Sequence, residues 1–244
     1  MAQPGTKHVV EIFFDLVSPY SYLAFEVLHR YKEAWNLHIV YRPFFLGGVM
    51  ASTGNSPPAY LPARARFMNR DITRNAQYFG VALRQPSYFP ANTLLAQRLL
   101  TALLLRGKRE DEDLVRRLSL TLWRYYWAED KNIEQKEVIV EALRECGVSW
   151  EEVEQLLSTE VQREEVKQKL KQTTAEAVER GSFGAPTMFV FKDVPVEQLQ
   201  GGWTAEGTRD KGEMFFGSDR FHHIAQLLGK QFDGPSPREA SHKL

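Results

Sequence analysis

Cysteine is nearly absent from this chain: Cys146 is the single one in 244 residues. An internal disulfide is therefore excluded, which agrees with a reducing compartment. Excess charge is absent too, because Lys plus Arg and Asp plus Glu number 31 each. That balance removes the electrostatic case for nucleic acid or an anionic membrane surface as partner. No stretch reaches the roughly 18 apolar residues of a membrane span, and Met1 to Lys7 is too short and polar for a secretory signal. There is no Gly-x-Ser-x-Gly elbow of the serine-hydrolase type. His222 and His223 are adjacent, so on a helix they point in different directions and do not form the i, i+4 pair of a helical metal site. The expectation is a soluble, intracellular protein without a metal centre, whose 43% hydrophobic content can bury a full core.

What the chain does contain is organised around Val9 to Leu23, VVEIFFDLVSPYSYL. Val9, Val10, Ile12, Phe13 and Phe14 are β-branched or aromatic, with only Glu11 interrupting, which suits a strand covered on both faces. Pro19 has a fixed φ and no amide proton, so it fits the first position of a helix. Ser18 then becomes the N-cap, and Val27, Leu28 and Tyr31 the apolar face of a helix running to about Asn36. Free N–H groups and the positive end of the helix dipole converge at Ser18, a place suited to an anion. Leu37 to Arg42 alternates as a second strand, and the intervening helix is long enough for a right-handed parallel crossover.

Phe44 to Pro62 is rich in Gly, Pro, Ser and Asn and reads as a loop. From Pro62 to Arg180 the periodicity is helical. Leu95, Leu99 and Leu103 share a face, as do Leu114, Leu118, Leu122 and Tyr125, and then Ile139, Ala142, Leu143 and Cys146 before Gly147. Ser149 with Glu152 forms a capping box, and Glu160 to Arg180 reads as one long charged helix ended by Gly181. The pattern predicts five or six helices, and strands on either side make them an insertion into an α/β unit. Thr187 to Phe191 and Glu213 to Phe216 read as an antiparallel pair, and Phe221 to Lys230 as a closing helix. The connection from Lys192 to Gly212, with Gly201-Gly202-Trp203, is long, and the tail from Asp233 reads as extended or disordered.

Four segments carry a resemblance. FFDLVSPYSYLAFEVL, GSFGAPTM (181–188), FFGSDRF (215–221), and Gly54 to Pro58 followed by Leu61-Pro62 are similar, in the same order, to segments of the kappa class of glutathione transferases. That class is related to 2-hydroxychromene-2-carboxylate isomerases. The resemblance implies an α/β, thioredoxin-like fold with a large all-helical domain inserted, DsbA-like, with residues 1–61 and 181–244 as the discontinuous thioredoxin-like domain and 62–180 as the insertion. Where a redox relative carries Cys-x-x-Cys, this chain has Ser18 and Ser21, so dithiol exchange at that turn is excluded.

The implied function is a glutathione transferase conjugating the thiolate to electrophiles, with peroxide reduction as a further activity. Alternatives are a glutathione-dependent isomerase and a non-enzymatic thioredoxin-fold binding module. Ser18 is implied as the catalytic hydrogen-bond donor to the thiolate, not a nucleophile, with Asp15 turned away from it. Glutathione is implied to meet Ser18, Pro19, Tyr20, Asn55 (glycyl end), Ala185 ahead of a cis Pro186, Ser218 as an N-cap for the γ-glutamyl carboxylate, and Asp219 for the ammonium. Arg64 stands where the family tends to have a lysine near the ligand, and Ala185 where it has leucine. The resemblance also implies a homodimer and a mitochondrial or peroxisomal location; the C-terminal Ser-His-Lys-Leu shares only its last two residues with the Ser-Lys-Leu signal.

Overall fold

The computed structural model describes residues 5–199, 203 and 212–237. Strands β1 (Thr6–Phe14), β2 (Leu37–Pro43), β3 (Thr187–Pro195) and β4 (Glu213–Phe216) form one mixed sheet in the order β2-β1-β3-β4. β1 and β2 are parallel, with Val10 opposite Ile39, and helix α1 (Pro19–Tyr31) makes the crossover. β3 runs antiparallel to β1, and β4 antiparallel to β3. Between β2 and β3 come α2 (Leu46–Thr53), α3 (Pro62–Phe79), α4 (Leu94–Leu105), α5 (Arg109–Trp127), α6 (Lys136–Glu145), α7 (Trp150–Ser158) and α8 (Glu164–Glu179). Helix α9 (Phe221–Leu228) follows β4. This is the expected thioredoxin-like unit with its helical insertion.

From Val9 to Phe14, β1 is apolar but for Glu11, because both faces of the sheet are covered there. Successive strand side chains point to opposite faces, so Val10, Ile12 and Phe14 join a core with α1, α5 and α9, whereas Val9 and Phe13 join a second with Phe44, Val49, Ala177 and Phe189. The same alternation sends Glu11 into the second layer, fully buried. Arg180 Nη1 meets it at 2.7 Å and Arg42 Nε at 4.0 Å, and both guanidinium groups also pair with Glu176.

The helical insertion shares the first core with the sheet. Trp123 of α5 stacks on Tyr22 at 5.4 Å and tilts against Phe14. Gln97 of α4 donates to the carbonyls of Phe14 at 2.8 Å and Phe44 at 2.7 Å. One side chain thereby satisfies the ends of two parallel strands, and those ends border the cleft described below.

Five segments differ from the sequence reading. The Phe44 to Pro62 loop contains α2 and a 3-10 turn, Pro58–Tyr60. Gly47 and Gly48 weaken the helical signal, yet a Cβ on Gly48 would lie 3.2 Å from Thr174 Cγ2, so the small residue is what lets α2 sit against α8. Helix α1 stops at Tyr31, and the turn to β2 closes with Asn36 at φ 53°. Glu160 to Arg180 is a 3-10 turn, Glu160–Gln162, followed by α8, because the Glu160 carboxylate is drawn to Arg106 by two hydrogen bonds of 2.7 and 3.1 Å. The tail from Asp233 is ordered against α1 through residue 237: Tyr31 Oη donates to Gly234 O at 3.0 Å and Arg30 to Pro235 O, just after Phe232 has packed on Tyr31 and Trp35. In the long connection, β3 extends to Pro195 and a 3-10 turn spans Val196–Leu199. Trp203 packs edge-on against Phe191; Gly201, Gly202 and the C-terminal Ser-His-Lys-Leu lie outside the described residues.

His29 on α1 gives the fold a pH signature. Its Nδ1–H donates to Phe25 O at 2.7 Å, so Nε2 is the acceptor for the Tyr41 hydroxyl at 2.8 Å, and the ring is held neutral. Burial lowers its pKa to about 4. The unfolded chain, with a histidine pKa of about 6.5, then binds more protons than the folded one between these values. Stability is full above pH 6.5 and is lost as pH falls towards 4, by roughly 3 kcal/mol at most. Urea midpoints measured from pH 4 to 7.5 should show this loss, and His29→Gln should flatten the histidine component.

Candidate active site

A cleft of about 690 Å³ opens beside the β1–α1 turn, within the ~300–1,000 Å³ range of small-molecule sites. Ser18, Pro19, Tyr20, Asn55, Ala185, Ser218 and Asp219 all line it. The structure thus gathers into one cleft residues drawn from four distant segments. Pro186 is buried, and its carbonyl accepts from Gly217 N at 3.0 Å; it is not itself part of the lining. The Ala185–Pro186 peptide is cis.

Ser18 is the N-cap of α1, and its two hydrogen-bonding capacities are divided. The hydroxyl oxygen accepts from Ser21 N at 3.1 Å, which fixes the side chain. Its proton is donated to Ala185 O at 3.2 Å, across 167 residues of sequence. Capping therefore orients the hydroxyl and leaves its proton directed at the cleft wall. Pro19 has no N–H, Ser21 N is bound to the cap oxygen and Tyr22 N to Ser18 O. Tyr20 N–H is left as an uncommitted donor of the first turn among the described residues. A hydroxyl and a backbone N–H at the positive end of a helix form a pair of donors for an anion. Ser21 is fully buried, and its hydroxyl has no partner among the described residues, so the second position of the turn faces the core.

Asp15 is turned away from that anion position. One oxygen accepts from Thr93 Oγ1 at 2.6 Å and Val17 N at 3.1 Å, the other from Leu46 N at 2.8 Å. Burial pushes its carboxyl above the usual range, and these three donors oppose the rise. Its structural work is to tie β1 to the starts of α2 and α4.

At the other end, Ser218 is two residues ahead of the α9 N-cap, which is Arg220, so the expectation of a capping Ser218 is corrected. Gly217, at φ 94°, turns the chain so that Ser218 is buried against the cleft, and its hydroxyl makes no hydrogen bond among the described residues. Asp219 is exposed and accepts from Arg220 at 2.8 Å. Asn55 donates one Nδ2–H to Phe183 O at 2.7 Å and accepts from Ser56 N, which leaves its second N–H free. Arg64 also lines the cleft and forms no ion pair among the described residues.

Several lining residues carried no local signal. Tyr20 Oη donates to Asp71 Oδ2 at 2.7 Å, and Asn75 donates to the same oxygen at 2.9 Å. Burial, reinforced by Asp71, raises the Tyr20 pKa and keeps the hydroxyl protonated. Asp71 sits in the polar run Asn69-Arg-Asp-Ile-Thr-Arg-Asn75, indistinguishable from a solvated helix face. Phe89 and Pro90, joined by a second cis bond, and Glu134, which accepts from Asn92 N, complete that side. Among the described residues no cluster of three or more His, Cys, Asp and Glu is placed to hold a metal ion, and the His222 and His223 rings lie against one another, 4.0 Å apart between centroids.

A family model described as a DSBA-like thioredoxin domain matches residues 9–229. Glutathione S-transferase kappa 1 of Rattus norvegicus is 34% identical over 241 residues, covering 97% of each chain, and that of Homo sapiens is 32% identical, covering 96% of this chain and 97% of that protein. The 2-hydroxychromene-2-carboxylate isomerase of Pseudomonas putida is 25% identical, covering 91% of this chain and 95% of that one. Among solved structures, a 2-hydroxychromene-2-carboxylate isomerase superposes with a TM-score of 0.68 at 22% identity, covering 91% and 94% of the two chains.

Proposed function

This chain belongs to the kappa class of glutathione transferases, within the DsbA-like thioredoxin family, and from that premise and its cleft we propose how it activates glutathione and where it holds it. The carrying observation is Ser18, an N-cap whose proton is free to be redirected. Glutathione's cysteinyl backbone pairs with the Ala185 N–H and C=O in strand fashion. That pairing takes over the carbonyl now occupied by Ser18 Oγ–H and releases the hydroxyl proton to the ligand sulfur. The free thiol has a pKa of about 8.5. A hydroxyl hydrogen bond to a charged acceptor contributes roughly 1.5–3 kcal/mol and a helix N-terminus roughly 0.3–1 kcal/mol. At about 1.4 kcal/mol per unit, the two lower the bound thiol pKa by about one to three units.

The remaining contacts follow the lining. Tyr20 N–H gives the thiolate its second donor, and Pro19 fixes the turn that presents it. The free amide proton of Asn55 and the unpaired Arg64 serve the glycyl carboxylate. Ser218 serves the γ-glutamyl carboxylate, Asp219 the ammonium, and Pro186 acts by holding Ala185 in place. The bound thiolate then attacks an electrophilic carbon and expels its leaving group. It also attacks a peroxide oxygen, breaking the O–O bond with departure of the alkoxide or hydroxide, and the resulting sulfenic acid condenses with a second glutathione to give the disulfide and water. The insertion boundaries at 61/62 and 180/181, a homodimer, and a mitochondrial or peroxisomal location belong to the same proposal and rest on the family. Light scattering of the purified chain checks the dimer. No helix among the described residues is long and apolar enough to cross a membrane.

The test is the ultraviolet thiolate absorbance of glutathione bound to the protein as a function of pH. A bound thiol titrating one to three units below the free one is expected; no binding, or an unshifted thiol, overturns the proposal.

A further inference from the structure

The cleft's charged groups are unevenly placed. Ser18, Asn55, Ala185 and Ser218 account for one part of the lining. The other part is apolar in Met68, Phe89 and Pro90 and acidic in Asp71 and Glu134. Of the cleft's remaining charged groups, Asp15 is fully buried and held by three donors, and Asp219 is paired with Arg220. Arg64, the cleft's one basic side chain among the described residues, lies in the first turn of α3 beside the Asn55 loop. Asp71 follows it by seven residues, about 10 Å along the helix. The cation and Asp71 are therefore set apart along α3, and Glu134 lines the cleft beside the Phe89–Thr93 segment, where it accepts from Asn92 N. Asp71 accepts from Tyr20 and Asn75, both of which donate to it, and it forms no ion pair among the described residues.

We propose that this acidic, apolar part of the cleft is the electrophile site, and that Asp71 and Glu134 make it select neutral or cationic acceptors and reject anionic ones. The inference rests on the transferase reading and names its acceptor class. An apolar floor of Met68, Phe89 and Pro90 suits an aromatic or alkyl body, and the Tyr20 oxygen, whose proton is spent on Asp71, offers only lone pairs to a substrate donor. An acceptor bearing a carboxylate meets two carboxylates that form no ion pair among the described residues. This separates the chain from an isomerase whose named substrate is itself a carboxylate.

The experiment compares 4-chloro-3,5-dinitrobenzoate with its methyl ester as acceptors. In both, the glutathione sulfur bonds to the ring carbon and chloride leaves with the bonding pair. The ratio of kcat/KM for ester over acid is divided by the same ratio for free glutathione thiolate, which cancels intrinsic reactivity and the charge of glutathione itself. The corrected ratio is expected to be about tenfold or more, since each unscreened carboxylate within the cleft contributes on the order of a tenfold effect. It should fall severalfold in Asp71→Asn, which keeps an acceptor for Tyr20, and in Glu134→Gln, and should shrink as salt is raised. A purely structural role for Asp71 would move neither the ester-to-acid ratio nor its salt dependence. A corrected ratio near one in the wild type, or one unchanged in both variants, overturns the acidic acceptor site while bound glutathione still shows its shifted thiol. An unshifted thiol, with neither acceptor conjugated, overturns the transferase reading and this inference with it.

Discussion

Replacing Ser18 with alanine is expected to raise the pKa of bound glutathione by about one to two units, the equivalent of roughly 1.5–3 kcal/mol for one hydrogen bond to a charged acceptor. The acid limb of the pH profile of kcat/KM should move up by the same amount. Below both pKa values the rate then falls, but by less than the thiolate fraction does. A more basic thiolate is more nucleophilic, with a Brønsted slope of about 0.4–0.5, so the net loss is about 3- to 10-fold. Above pH 9 the loss should vanish. That crossover distinguishes loss of thiolate stabilisation from a damaged site, which depresses the rate at every pH. Ser18→Ala also removes the cap bond to Ser21 N, at a cost of about 1 kcal/mol of stability. Ser18→Thr keeps both the cap acceptor and the donor and should restore the limb and the urea midpoint.

Arg180→Leu is expected to be the most destabilising single change away from the cleft. Glu11 is fully buried in β1, and Arg180 is its 2.7 Å partner. The Arg180 guanidinium also lies 3.6 Å from the centre of the Phe189 ring. Removing one member of a buried pair leaves the other charge desolvated and costs roughly 3–5 kcal/mol. Arg42, 4.0 Å from Glu11, places this case near 3 kcal/mol. That is a large share of the ~5–15 kcal/mol that holds a typical domain together. Adding Glu11→Gln to Arg180→Leu should recover most of the loss in urea unfolding, because the amide carries no charge to desolvate. A double variant no better than the single one would mean that the Arg180 packing, and not the Glu11 charge, is what matters.

Glu11 also shows what kind of reading local sequence permits. A single carboxylate in an apolar run is visible, but its partners at Arg42 and Arg180 are not, since nothing local links positions 11 and 180. The loop expected from Phe44 to Pro62 conceals α2 for the same reason. Gly47-Gly48 disfavours a helix on intrinsic propensity, and the gain that overrides it is the close approach to Thr174 on α8. The tail from Asp233 reads as extended or disordered by composition, and Tyr31 and Arg30, both on α1, hold it at Gly234 and Pro235.

The sequence by itself determined the β-α-β opening, the helical insertion, the returning strand pair and the Ser18 cap. Each is written in short-range terms: period-2 or period-3.6 apolar spacing, a serine before a proline, a glycine after a helix. It also named a set of residues that line the cleft, because four resemblances in the right order carry positions that no single motif would. Only the tertiary structure decided what those residues do to one another. Ser18 meets Ala185 across 167 residues, and Tyr20 meets Asp71 across 51. Such pairings depend on how the two layers of helices close over the sheet. They leave no periodic trace in the chain, and the acidic part of the cleft is legible only once α3 has been laid against the turn after β1.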